Sequence, residues 1–152
     1  MQKTDTTQVD VRGPRFVAWV TTVVLVAVLL IAGVSPHGAA ALLAAQAVVF
    51  AVGAALGPRR HPYGVVFARL VAPRLGPVTE REPVAPLRFA QLVGLLFAVI
   101  GLAGLLGAEP LGSIATAAAL VAAFLNAAFG ICLGCLLYPL ALRLHPVSAP
   151  SN

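Results

Sequence analysis

A chain of 152 residues that is 60% hydrophobic, only 10% charged and has a mean hydropathy of +0.97 lies outside the range of soluble domains, where about a quarter of residues are charged. The net charge of +5 and pI near 10.3 do not imply a nucleic-acid partner, because the basic residues flank long apolar runs and topology accounts for them. The length allows one domain, whose apolar residues must face a lipid bilayer or one another.

Residues 1–15 form a polar N-terminal segment, followed by the apolar run Phe16–Val34. A run of about 19 residues covers roughly 28 Å as a helix, close to the thickness of a bilayer core. It reads as a retained span rather than a signal peptide, because its core exceeds the usual 7–15 residues (roughly) and Asp5 and Asp10 precede it. Ser35-Pro36-His37-Gly38 is a polar turn, Ala39–Leu56 a second span, and Gly57-Pro58 closes it. The central loop, residues 57–88, is patterned. Val66, Phe67, Leu70 and Val71 recur at helical spacing within Tyr63–Leu75, which predicts a short interfacial helix or a helix capping the bundle. Pro73–Pro86 reads as extended loop.

Phe89–Leu106 is the third span, and Gly107-Ala108-Glu109-Pro110 turns the chain. The last apolar stretch, Leu111–Leu142 with its span at about residues 114–140, exceeds what a bilayer needs, so tilt or a break near Gly130, Gly134 or Pro139 is expected. Residues 143–152 form a tail. The predicted fold is therefore all-α: a four-helix transmembrane bundle with a short helix in its central loop.

All ten basic residues fall in three regions: Lys3, Arg12 and Arg15 before the first span, Arg59, Arg60, Arg69, Arg74, Arg81 and Arg88 between the second and third, and Arg143 after the fourth. Four spans place these regions on one side, which the positive-inside rule makes cytoplasmic. The expectation is a multi-pass protein of the inner (plasma) membrane with both termini cytoplasmic. The halves also echo each other: Arg15-Phe16 opens span one and Arg88-Phe89 opens span three, while Pro36-x-Gly38 and Pro110-x-Gly112 occupy the two outer turns. This pattern fits two tandem parallel helical hairpins related by an axis along the membrane normal.

Gln46 in span two and Asn126 in span four are intramembrane amides, readable either as a polar site or as interhelical glue. Ala118, Ala122, Asn126, Gly130 and Gly134 form a small-residue stripe suited to close helix packing, as do Ala90, Gly94 and Ala98. The only two cysteines are Cys132 and Cys135. On a continuous helix they share a face with roughly 5 Å between Cα atoms, within disulfide range. At the cytoplasmic, C-terminal end of a helix the partial negative charge and apolar surroundings would oppose a thiolate. Three readings stay open: thiol or sulfur chemistry with these two as the reacting pair, packing, and a metal site of Cys132, Cys135, His61 and His145. No phosphate loop, paired carboxylate or nucleophile elbow is present, and no residue pattern calls for a cofactor.

Arg12-Gly13-Pro14-Arg15-Phe16, Gly57-Pro58-Arg59-Arg60-His61-Pro62-Tyr63-Gly64 and Asn126-Ala127-Ala128-Phe129-Gly130-Ile131-Cys132-Leu133-Gly134-Cys135 resemble the bacterial integral membrane family known as domain of unknown function 4395. That resemblance implies thiol or sulfur traffic with a cytoplasmic thioredoxin-like or rhodanese-type sulfurtransferase partner, with Cys132 and Cys135 as the matching positions. The leading functional expectation is a membrane dithiol protein. Its rivals are a non-catalytic membrane subunit or scaffold and a small sulfur-compound permease.

Overall fold

The computed structural model describes residues 8–144. Six α-helices dominate: α1 (Arg12–Ala32), α2 (Pro36–Leu56), α3 (Pro62–Val66), α4 (Val84–Gly107), α5 (Leu111–Phe129) and α6 (Leu133–Leu144). Among the described residues α1, α2, α4 and α5 are long and apolar enough to cross a membrane. Two three-residue strands, β1 (Gln8–Asp10) and β2 (Arg81–Pro83), pair antiparallel with Val9 opposite Glu82. This small ribbon ties the N-terminal segment to the base of α4. The expected pattern of spans did not include it.

Local chemistry sets the ends of the spans. Ser35 stands in extended backbone before α2 and its hydroxyl accepts the Gly38 N–H at 3.1 Å, while Pro36 takes the first helical position, where no N–H is needed. At the other end Gly57, at φ +82°, terminates α2. α5 ends at Gly130, φ +70°, where the N–H of Gly130 bonds to the Asn126 carbonyl and that of Ile131 to the Leu125 carbonyl. The closure needs a left-handed residue after the last turn, a conformation that costs glycine little.

The four long helices form a ring in which α1 packs on α2 and α5, and α4 packs on α2 and α5. The core lies in the half of the ring near the short turns, where Leu25, Val28, Leu43, Ala98 and Leu105 are buried together. The closest crossing is there too: a Cβ on Gly112 would fall on the backbone of Leu105 and Gly104, and one on Gly104 on the backbone of Gly112.

The opposite, arginine-rich half shows the internal echo in atomic detail. Arg15, at the start of α1, donates to the terminal carbonyls of α5, at Ala127 and Ala128 (3.4 and 3.5 Å). Arg88, at the start of α4, donates to those of α2, at Ala54 and Ala55 (2.9 and 2.8 Å). The 73-residue displacement that takes Arg15 to Arg88 also takes Ala54 to Ala127, Ala55 to Ala128 and Gly57 to Gly130. Each arginine thus caps the returning helix of the other hairpin, where carbonyls lack helical partners and the helix presents partial negative charge. Each hairpin is followed by a glycine at positive φ and a short helix that folds back on its own first span. The segment from α3 packs through Phe67 on Gly13 and Phe16, and α6 packs through Gly134 on Ala90 and through Tyr138 on Phe89.

The loop helix exists, and it is continuous over Pro62–Arg74 as an α turn, a π turn and a 3₁₀ turn. Phe67 is buried against the bundle while Val66 and Leu70 stay exposed, so it caps the bundle on one face and presents apolar side chains on the other.

Candidate functional site

The long final apolar stretch is two helices. α5 stops at Phe129, and the chain turns through Gly130, Ile131 and Cys132 before α6 starts at Leu133. The expected break near Gly130 is present, and it changes the chemistry of the cysteines. Cys132 precedes α6 rather than lying inside a continuous helix. Its Sγ accepts the Cys135 N–H at 3.2 Å and its carbonyl accepts the Leu136 N–H at 3.0 Å, the bonds of an N-cap residue. The expectation that the pair sits in the negative field of a helix C-terminus is thereby corrected. The left-handed glycine resets the helix, so the pair sits at an N-terminus, where backbone N–H groups and the dipole favour a thiolate on sulfur.

Cys132 and Cys135 are joined as a disulfide, with 5.2 Å between Cα atoms. Pro139, inside α6, has no N–H to offer the carbonyl of Cys135 four residues earlier. α6 seats tightly on α4, since a Cβ at Gly134 would lie 2.6 Å from the Ala90 Cα. It has no buried residue, so the wall it forms is one helix thick.

Behind Cys132 lies a cavity of about 360 Å³. The four long helices, the turn at Pro58 and His61, and α6 all contribute to its walls. Ala118, Ala122 and Asn126 of the small-residue stripe line it. Their small side chains therefore make room instead of bringing two helices into contact, while Gly130 ends a helix and Gly134 belongs to the next one. Only Ala118, Ala122 and Asn126 of the stripe share a face of α5, because the chain break takes Gly130 and Gly134 off that helix.

The polar groups around the cavity are uncharged. His61 is buried, with 1% of its surface exposed, and Gly53 provides the space, because a Cβ there would strike the His61 ring and Gln91. The neighbouring Arg59 and Arg60 are exposed, whereas the His61 ring is turned inward. Its Nδ1 accepts the Tyr63 N–H at 3.3 Å, so Nε2 carries the proton and donates to Gln91 Oε1 at 3.2 Å. Burial pushes its pKa down from 6.5 to about 4, leaving a neutral ring. The carboxamides of Gln91 and Asn126, both lining residues, donate to no other described residue. Thr21, also a lining residue, has a buried hydroxyl without a partner. Thr22 and Thr116, by contrast, bond back to the Ala18 and Gly112 carbonyls of their own helices.

Gln46 is buried away from this cavity. Its Oε1 accepts the Tyr63 hydroxyl at 2.7 Å, and its Nε2 has no partner. It anchors α3 to α2 rather than joining two spans. Gln91 and Tyr63 were missed from sequence. Gln91 carried a signal, as the only polar side chain in the run Phe89–Leu106, whereas the reach of Tyr63 to Gln46 depends on the fold-back of α3. No group of three or more His, Cys, Asp or Glu residues capable of holding a metal occurs among the described residues. His61 is turned to Gln91, and His145, the fourth member of the expected metal set, lies outside the described residues.

Fold and site together define a multi-pass membrane protein with a cysteine pair at the edge of an internal cavity. The family described as Domain of unknown function (DUF4395) matches residues 9–143, and the chain belongs to it. No curated protein and no solved structure matches the chain.

Proposed function

We propose that this protein is a membrane dithiol carrier whose Cys132–Cys135 pair exchanges disulfide, or sulfane sulfur, with a cytoplasmic thioredoxin-like or rhodanese-type partner. The observation that carries the reading is the placement of Cys132 at the N-terminus of α6 with Sγ facing the Cys135 N–H. A thiolate released there is stabilised by the N–H and by the helix dipole, and a better leaving thiolate speeds exchange. The partner's thiolate attacks Cys135 Sγ, the S–S bond breaks, and its electron pair leaves on Cys132. A second partner thiol then displaces Cys135, so the partner leaves oxidised and the pair is left as a dithiol. In this reading the arginine-rich end faces the cytoplasm, in keeping with the positive-inside rule.

The test is trapping in intact cells with a mass-tagged maleimide. The wild-type pair is expected in both oxidised and reduced forms, and Cys132→Ser is expected to hold a partner on Cys135 as a mixed disulfide. A pair that is fully reduced under every growth condition, with no mixed disulfide from either single variant, sinks the proposal. It would leave the scaffold reading, in which Ala122→Leu disrupts assembly while loss of both thiols is silent.

A further inference from the structure

We infer that the cavity behind Cys132 takes the head group of a lipid-soluble quinone, which accepts the electrons of the Cys132–Cys135 dithiol. The inference rests on the dithiol reading and names the co-substrate of the same site. A dithiol that donates two electrons at each turnover needs an acceptor, and the chain holds no other cysteine to pass them to. The acceptor must therefore enter from outside and reach a sulfur. Of the two cysteines, Cys132 lines the cavity.

The cavity's chemistry selects the class. Its volume of about 360 Å³ suits a one- or two-ring head group and lies at the small end of ordinary ligand pockets. No Lys, Arg, Asp or Glu lines it, and His61 is held neutral by burial, which disfavours nucleotides and sulfur anions. Phe50 and Phe97 supply ring surfaces. The Gln91 and Asn126 carboxamides supply donors without partners, matched to a flat, neutral molecule whose polar atoms are two carbonyl acceptors. Most of the lining residues belong to the membrane-spanning helices, which suits a ligand that arrives through lipid.

The redox step balances. The Cys132 thiolate adds to a ring carbon of the quinone, and the ring takes up a proton. The Cys135 thiolate then attacks Cys132 Sγ, so the S–S bond forms and the carbon–sulfur bond breaks. Its electron pair passes into the ring, and the oxygens end protonated. Two thiols and a quinone become a disulfide and a quinol, with two electrons and two protons transferred.

The test uses the full chain in lipid nanodiscs with its pair pre-reduced, and decylubiquinone as the probe. Quinol formation is followed by absorbance, thiol loss by maleimide mass shift, and oxidation by glutathione disulfide serves as a parallel reaction. The wild type is expected to form one quinol per cysteine pair. Ala122→Phe, which fills the cavity, is expected to lower the quinone rate relative to the glutathione disulfide rate roughly tenfold or more, as overpacking a formed site does. Asn126→Leu, close in size, should lower the same ratio and guards against misfolding of the Phe variant. In Cys132→Ser, decylubiquinone should quench the single tryptophan, Trp19, saturably, and the added Ala122→Phe should abolish that saturation. A pair that exchanges with glutathione disulfide yet ignores the quinone, or a rate ratio unchanged in both cavity variants, overturns the quinone assignment and leaves the dithiol reading standing. A pair inert to both reagents overturns both.

Discussion

Gly130 decides which end of a helix the cysteines meet. With φ at +70° it closes α5 and lets α6 begin on a new axis. An L-residue in that conformation costs roughly 1–2 kcal/mol, and a β-branched one more. Gly130→Val is therefore expected to lower the thermal midpoint in detergent and to remove the cap that Cys132 gives α6, slowing maleimide alkylation of the reduced pair. Unchanged alkylation in the folded variant would show that the helix N-terminus does not activate Cys132. His61 gives a second residue-scale expectation. Burial holds its folded-state pKa at about 4, below the ordinary 6.5, so between those values the unfolded chain binds more protons than the folded one. Its contribution is intact above pH 6.5 and lost as the pH falls toward 4, at up to about 1.4 kcal/mol per pH unit. The melting temperature should drop across that window, and His61→Gln should flatten the drop. An equal drop in the variant would assign the pH sensitivity to another group.

The two arginine clamps act between elements. Arg88 holds the end of α2 and Arg15 the end of α5, so each ties one hairpin to the other at the end where the core is replaced by a cavity. Arg88→Ala is expected to cost about 1 kcal/mol, the size of one or two partly exposed hydrogen bonds, and Arg15→Ala somewhat less because its contacts are longer. The clamps act at different helix ends, so the double variant should show nearly additive losses in thermal unfolding. A strong positive or negative coupling would mean that the hairpins do not meet as independent pairs of contacts. At the opposite end Gly112→Leu, placed against the α4 backbone, should prevent folding or shift the whole hairpin, far exceeding either clamp. The four spans were legible in sequence because charge and apolar length record them directly. The arginine pair at the span openings was visible as an echo, but its acceptors were not, since backbone carbonyls leave no mark on residue type. The fold-back of α3 and α6 was hidden for a similar reason. Both helices are short and apolar, and only their contacts with Gly13, Phe16, Ala90 and Phe89 say where they lie.

For the whole molecule, the split of the final apolar stretch raises the question of how many times the chain crosses the membrane. α6 has 12 residues and spans roughly 18 Å, too short to recross a bilayer core of about 30 Å. It also packs on the first turns of α4, at Phe89 and Ala90, so it stays at the arginine-rich end where α5 arrives. The crossing number thus stays even, with the ends of the described chain, near Gln8 and Leu144, on the same side as the loop that bears Arg59, Arg60 and Arg88. If the positive-inside rule governs insertion, single engineered cysteines at Gln8 and Arg143 in a Cys132→Ser, Cys135→Ser background should both resist an impermeant maleimide in intact cells and react after permeabilisation. One at Ala108, in the α4–α5 turn, should react without permeabilisation. Opposite labelling of positions 8 and 143 would require α6 to recross or one long helix to lie outside the bilayer. A long helix outside the bilayer would remove the cavity from the apolar layer and place Cys132 on the far side from the partners proposed for it.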